Sequence, residues 1–110
     1  MNRKVTSFLL LILICLPLCS QTYKQVNDIS YTNKIDSYAK ERLKLDIYYP
    51  EDLHNCPVIV WFHGGGLEAG NKEIPNRLKE KGYVVVGVNY RLLPNVSINE
   101  TLDDSAEAIA

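Results

Sequence analysis

The stretch Val58-Ile59-Val60-Trp61-Phe62-His63-Gly64-Gly65-Gly66 decides how this chain folds and what chemistry it can support. Five consecutive apolar residues of β-branched and aromatic type are the pattern of a strand covered on both faces inside a parallel sheet. Three glycines in a row let the backbone take positive φ where it leaves that strand, and no Cβ shields their N–H groups. N–H groups at the end of a buried strand can be aimed at the charge that develops on a carbonyl oxygen, the role of an oxyanion hole. The first expectation is therefore acyl transfer.

Working outward, Tyr83 to Val88 is a second continuously apolar strand. Between the two, Glu68 to Lys72 form a loop, Pro75 fits the first turn of a short helix, Leu78 is its inward anchor and Gly82 ends it. Strand, helix, strand is a βαβ unit, with a right-handed crossover expected. Upstream, Val26 to Tyr31 is a weak strand. Leu43, Leu45, Ile47 and Tyr49 alternate with Arg42, Lys44, Asp46 and Tyr48, a period of two that predicts a strand with one polar face. Pro50 to Pro57 is a polar connection whose His54 is read as solvated. Downstream, Thr101 and Asp104 have the spacing of a helix start, and Leu102, Ala106 and Ile109 fall on one helical face. No glycine, basic last turn or proline closes this helix before Ala110, so the chain is expected to be incomplete. The fold class is α/β: an antiparallel strand pair, a parallel βαβ unit and the start of a further helix.

The first twenty residues stand apart. Arg3 and Lys4 precede the apolar run Phe8 to Leu16 and the stretch Pro17 to Ser20, which ends in small residues; this reads as a secretory signal peptide over 1–20, cut after Ser20. Lipid attachment at Cys19 is the rival reading, against which stands the bulk of Leu18. The expected location is secreted or periplasmic, with residues 21–110 forming one incomplete domain. Losing Arg3 and Lys4 takes the formal charge from −1 to −3, so nothing favours nucleic acid. The same cut removes Cys15 and Cys19 and leaves Cys56 without a bridging partner, a small apolar residue entering a strand. No metal site and no organic cofactor are expected.

From about Asn27 to Ala110, the order of strand pair, buried strand, His63-Gly64-Gly65-Gly66, helix, buried strand, Asn89-Tyr90-Arg91-Leu92 and Asp103-Asp104 resembles the opening of an α/β-hydrolase. The nearest groups are secreted carboxylesterases of the feruloyl-esterase-like and acetyl-esterase-like kinds. The resemblance implies that Gly65 and Gly66 supply oxyanion N–H groups, with His63 and Gly64 shaping the turn. It also implies that the strand Tyr83 to Val88 inserts between its two predecessors, leaving Val58 to Phe62 at an edge. Leu67 departs from the pattern, standing where such enzymes often carry an aromatic. The short stretch before the first strand argues against an N-terminal helical cap. The expected substrate is a small-molecule or carbohydrate-linked ester.

Catalysis in that family also needs a serine in Gly-x-Ser-x-Gly, then an acid, then a histidine. The chain contains no Gly-x-Ser-x-Gly; Ser97 lies in a polar loop and Ser105 on a helix beginning, and neither follows a strand. Nucleophile, acid and base are thus all missing, and the 110 residues alone are expected to be inactive. Two other classes compete. Gly64-x-Gly66-x-x-Ala69 satisfies a loose dinucleotide fingerprint, against which stand Asn89 in place of an acidic residue, Glu68 near the phosphate position, and the delay of the helix to Pro75. A non-catalytic remnant or binding module is the other. Arg91 is read as pairing with a carboxylate, Asp46 as structural, Asp103 and Asp104 as acidic residues at a helix start, and Trp61 and Phe62 as core. Asn95 and Asn99 match the N-glycosylation pattern.

Overall fold

The structure, a computed structural model, describes residues 21–110; the signal-peptide and Cys19 readings lie outside the described residues. Four strands form one mixed sheet in the order β1-β2-β4-β3. They are β1 (Tyr23–Ser30), β2 (Lys44–Pro50), β3 (Val58–Phe62) and β4 (Val84–Val88), joined by helix α1 (Ser37–Arg42) and followed by helix α2 (Ile98–Ile109). β2 runs antiparallel to both β1 and β4, while β3 and β4 are parallel. The fourth strand does insert between β2 and β3. Val85 and Val88, on this inner strand, are fully buried.

β3 is consequently an edge strand. Val58 is 62% exposed, and Ile59 to Phe62, Trp61 included, are only half-buried. The reading of Trp61 and Phe62 as core is corrected to that extent, because one side of their strand has no neighbour among the described residues. The Arg77 guanidinium lies 5.0 Å from the Trp61 ring centroid and covers part of it.

Three further expectations are corrected. The polar face of β2 is not solvated: Asp46 and Tyr48 are buried. The loop after β3 folds over that face and places Lys72 Nζ 2.8 Å from Asp46, while Tyr23 stacks on Tyr48 at 5.0 Å. The crossover between β3 and β4 holds no α-helix, only a single 3₁₀ turn, Asn76–Leu78. Its residues are spent otherwise: the Glu73 carbonyl crosses β4 so closely at Gly87 that a Cβ there would overlap it, which keeps the chain extended up to Pro75. Finally, α2 begins at Ile98, capped by Ser97, whose Oγ accepts from the Glu100 N–H at 3.2 Å. Thr101 and Asp104 therefore lie inside the helix, and they form its buried face. Leu102 and Ile109 are exposed, at 58% and 65%.

Helix α1 is a feature with no apolar periodicity to announce it. Asp36 caps it, accepting from the Ala39 N–H at 2.9 Å, and burial of Ala39 and Leu43 fastens it to the sheet.

Candidate functional site

The parallel strands β3 and β4 end side by side, so the loops leaving them, 63–72 and 89–93, are neighbours. His63 opens the first loop with its side chain buried. Its Nδ1 lies 2.8 Å from the Gly64 carbonyl oxygen. A carbonyl can only accept, so Nδ1 carries the proton of this hydrogen bond. Nε2 is buried without a partner among the described residues. The imidazole stacks on Tyr90, centroids 4.4 Å apart and planes within 5°, and the Tyr90 hydroxyl donates to the His63 carbonyl at 2.7 Å. Burial raises the Tyr90 phenol above its ordinary value, which keeps it a neutral donor.

Gly65 and Gly66 follow with φ of 131° and 64°. Only glycine takes the first of these without strain, and a Cβ on Gly65 would overlap the Ala69 carbonyl oxygen. The Gly65 carbonyl points back into the loop and accepts from Glu68 and Ala69 N–H at 3.1 and 3.2 Å. The Gly65 and Gly66 N–H groups have no acceptor among the described residues. Leu67, also at positive φ (65°), is held through its carbonyl by the Leu93 N–H at 2.8 Å. Gly70 packs against both the His63 ring and the Gly64 carbonyl, leaving no room for a Cβ. The turn is thus a tight arch, and the Gly65 and Gly66 N–H groups are among the donors it leaves without an acceptor in the described residues.

This geometry weakens the dinucleotide reading of Gly64, Gly66 and Ala69. Pyrophosphate recognition needs a helix N-terminus directly after the glycines. Here the glycines lead into a hydrogen-bonded loop and, further on, a single 3₁₀ turn.

The second loop is fastened throughout. Asn89 donates its N–H to Lys44 O at 3.0 Å, accepts Lys72 N–H on Oδ1 at 2.6 Å, and accepts the Tyr31 hydroxyl on its carbonyl. Burial raises the Tyr31 phenol, so it too remains a donor. Arg91 meets Asp104 in a two-pronged pair, Nε to Oδ2 and Nη2 to Oδ1, both 2.9 Å. The pairing expected of Arg91 is present; Asp104, however, is a buried ion-pair partner and does not serve the helix start. Thr101 Oγ1 donates to the Arg91 carbonyl at 2.9 Å, and the Leu92 N–H reaches the Tyr38 hydroxyl at 3.0 Å.

Ser97 Oγ caps α2, and Ser105 Oγ donates to Thr101 O at 3.1 Å. His54 sits in the exposed connection with Nδ1 2.7 Å from Asp52. Cys56 is half-buried, its thiol near the Asp52 and His54 carbonyls at 3.5 and 3.6 Å. None of these is brought to the glycine turn by the contacts it makes. Among the described residues no group of three or more histidine, cysteine, aspartate or glutamate side chains could hold a metal ion, and no helix is long and apolar enough to cross a membrane.

Two residues at the site were missed from sequence. Arg42, at the end of α1, donates to the Tyr90 carbonyl, Asn71 Oδ1 and the Gly70 carbonyl. Gly70 backs the His63 ring. A glycine seven positions after His63 was a visible signal for the second; nothing local marked the first.

Comparison with known proteins agrees with this architecture. Residues 45–110, more than half of the chain, match the BD-FAE family model. Carboxylesterase 1D of Mus musculus is 36% identical over 88 residues, which cover 69% of this chain and 16% of that protein. The crystal structure of esterase B from Lactobacillus rhamnosis superposes with a TM-score of 0.64 at 27% identity, covering 79% of this chain and 28% of the esterase. A carbohydrate esterase from gut microbiota shares the fold at 20% identity and a TM-score of 0.62. The chain therefore spans less than a third of the length of each of these proteins.

Proposed function

The chain belongs to the BD-FAE family of esterase-like α/β-hydrolases, and from that premise we propose that it carries the oxyanion-binding turn of an exported serine carboxylesterase. The observation that supports this is the pair of unclaimed N–H groups on Gly65 and Gly66, on a turn held from both sides at the end of β3.

In this reading a serine from another part of the protein attacks the ester carbonyl carbon, and the carbonyl π electrons move onto oxygen. The serine's proton goes to a base likewise from another part, which later gives it to the departing alcohol oxygen. Gly65 and Gly66 donate their N–H groups to that oxygen as it becomes negative. Collapse of the intermediate expels the alcohol and leaves an acyl-serine, which water then cleaves to free acid. His63 is given no proton-transfer role in these steps: its Nε2 is buried and its ring is packed against Tyr90, away from the open donors of the turn. Its role is to set the turn. No metal or organic cofactor is required by the scheme. The substrate is a small-molecule or carbohydrate-linked ester.

The test is hydrolysis of p-nitrophenyl acetate by the intact protein and by residues 21–110 alone. The intact protein is expected to turn over with an acyl-enzyme burst, and the 21–110 segment to stay at the buffer rate. A folded intact protein that is inert toward short-chain esters would overturn the assignment. Turnover by 21–110 alone would overturn the placing of the nucleophile outside these residues.

A further inference from the structure

The arch between Gly64 and Gly70 has few internal fastenings of its own, and the group that closes it comes from far away in sequence. Arg42 ends α1, and its guanidinium reaches three acceptors on two other segments: the Tyr90 carbonyl at 3.2 Å, Asn71 Oδ1 at 2.9 Å and the Gly70 carbonyl at 3.2 Å. Two of these residues, Tyr90 and Gly70, pack around His63. Tyr90 covers one face of the imidazole and holds the His63 carbonyl. Gly70 lies against Nδ1 and against the Gly64 carbonyl that Nδ1 bonds. A single planar cation thus grips both supports of the residue from which the glycine turn departs.

We propose that Arg42 is the positioning residue of the glycine turn: by tying the Tyr90 and Gly70 carbonyls together it fixes where the Gly65 and Gly66 N–H groups point. This rests on the reading of those N–H groups as the oxyanion donors. Arg42 does not touch the substrate and supplies no charge to the reaction. Its fork is what the site needs, since hydrogen bonds to a cation are strong and the guanidinium plane presents several donors in fixed directions. Lysine, with one tetrahedral head, cannot span a backbone carbonyl of β4's exit and two acceptors of the glycine loop together. Donors that must meet a developing charge have little tolerance for displacement, and about 1 Å can cost on the order of 100-fold in rate.

The experiment compares Arg42→Ala, Arg42→Lys and Lys34→Ala in the intact protein by steady-state kinetics on p-nitrophenyl esters and by amide hydrogen exchange. Lys34→Ala removes a different ion pair, with Glu107, neither partner of which bonds a residue of the turn. Arg42→Ala is expected to lower kcat about 10- to 100-fold with KM changed less than about 3-fold, the signature of a loss confined to the transition state. Arg42→Lys should recover only part of that loss, and Lys34→Ala should keep the parent kcat. Exchange of the amides of residues 64–70 should rise about 10-fold or more in Arg42→Ala, while β1 and β2 amides keep their protection. Should Arg42→Ala not fold, the same readouts on Arg42→Lys decide. Unchanged kcat in a folded Arg42 variant, a loss expressed only in KM, or unchanged exchange at 64–70 would each overturn the proposal. If the parent protein hydrolyses no ester, the oxyanion reading fails by itself, and the exchange data alone settle whether Arg42 holds the turn.

Discussion

Two loops leave the same end of the sheet from adjacent parallel strands, and they are built in opposite ways. The loop after β4 spends nearly every polar group it has: Asn89, Tyr90, Arg91 and Leu92 are each tied to another segment. The loop after β3 is tied through the Leu67 carbonyl and at Lys72 but leaves the Gly65 and Gly66 donors open at its crest. Folding tolerates open donors only where solvent or a ligand can reach them. The contrast teaches a division of labour in which one loop is scaffold and its neighbour presents groups. Damage to the first should appear as instability, damage to the second as lost activity.

The largest effect is expected at Asp104. Asp104→Ala strands Arg91 as a buried unpaired cation and should cost about 3–5 kcal/mol of stability, read as a lowered urea midpoint. Gly65→Ala should invert the pattern. Its Cβ would overlap the Ala69 carbonyl, and the intact protein should lose about 100- to 1000-fold in kcat with a smaller loss of stability than Asp104→Ala. If Gly65→Ala proves the more destabilising of the two, the division of labour is wrong. Ser97→Ala removes the cap of α2, on the scaffold side, and should cost about 1 kcal/mol with kcat unchanged.

The smallest effect concerns pH. A hydrogen bond from Lys34 holds the Glu107 carboxyl below its ordinary value. The folded state therefore binds that proton less readily than the unfolded chain. The pair's contribution is complete above the ordinary carboxylate range and is lost as pH falls through the folded value. Thermal melts between pH 6 and 3 should show the parent losing stability faster than Glu107→Gln. Because both side chains are partly exposed, the difference should stay under about 1 kcal/mol.

Much of this was legible in the residues. An unbroken apolar run gave β3 from Val58 to Phe62, and Tyr83 to Val88 gave β4 to within one residue. The edge position of β3 followed from the family resemblance and from nothing in its own composition. What escaped had a common cause. The face of α2 that packs is Thr101 and Asp104, because the Arg91 pair and the Arg91 carbonyl need them there; periodicity pointed to Leu102, Ala106 and Ile109. The missing crossover helix traces to the close passage of Glu73 over Gly87. At the site, the glycines were visible because the constraint is local. Arg42 was not, because its partners are 28 to 48 positions away.

The most direct test of the central claim is a crystal structure of the intact protein inactivated by an ester-like alkyl phosphonate. The account predicts the phosphonyl oxygen within about 2.7–3.1 Å of both the Gly65 and Gly66 nitrogens, with the His63–Tyr90 stack in place. A phosphonyl oxygen bound by other donors, with both glycine N–H groups pointing elsewhere, would contradict it.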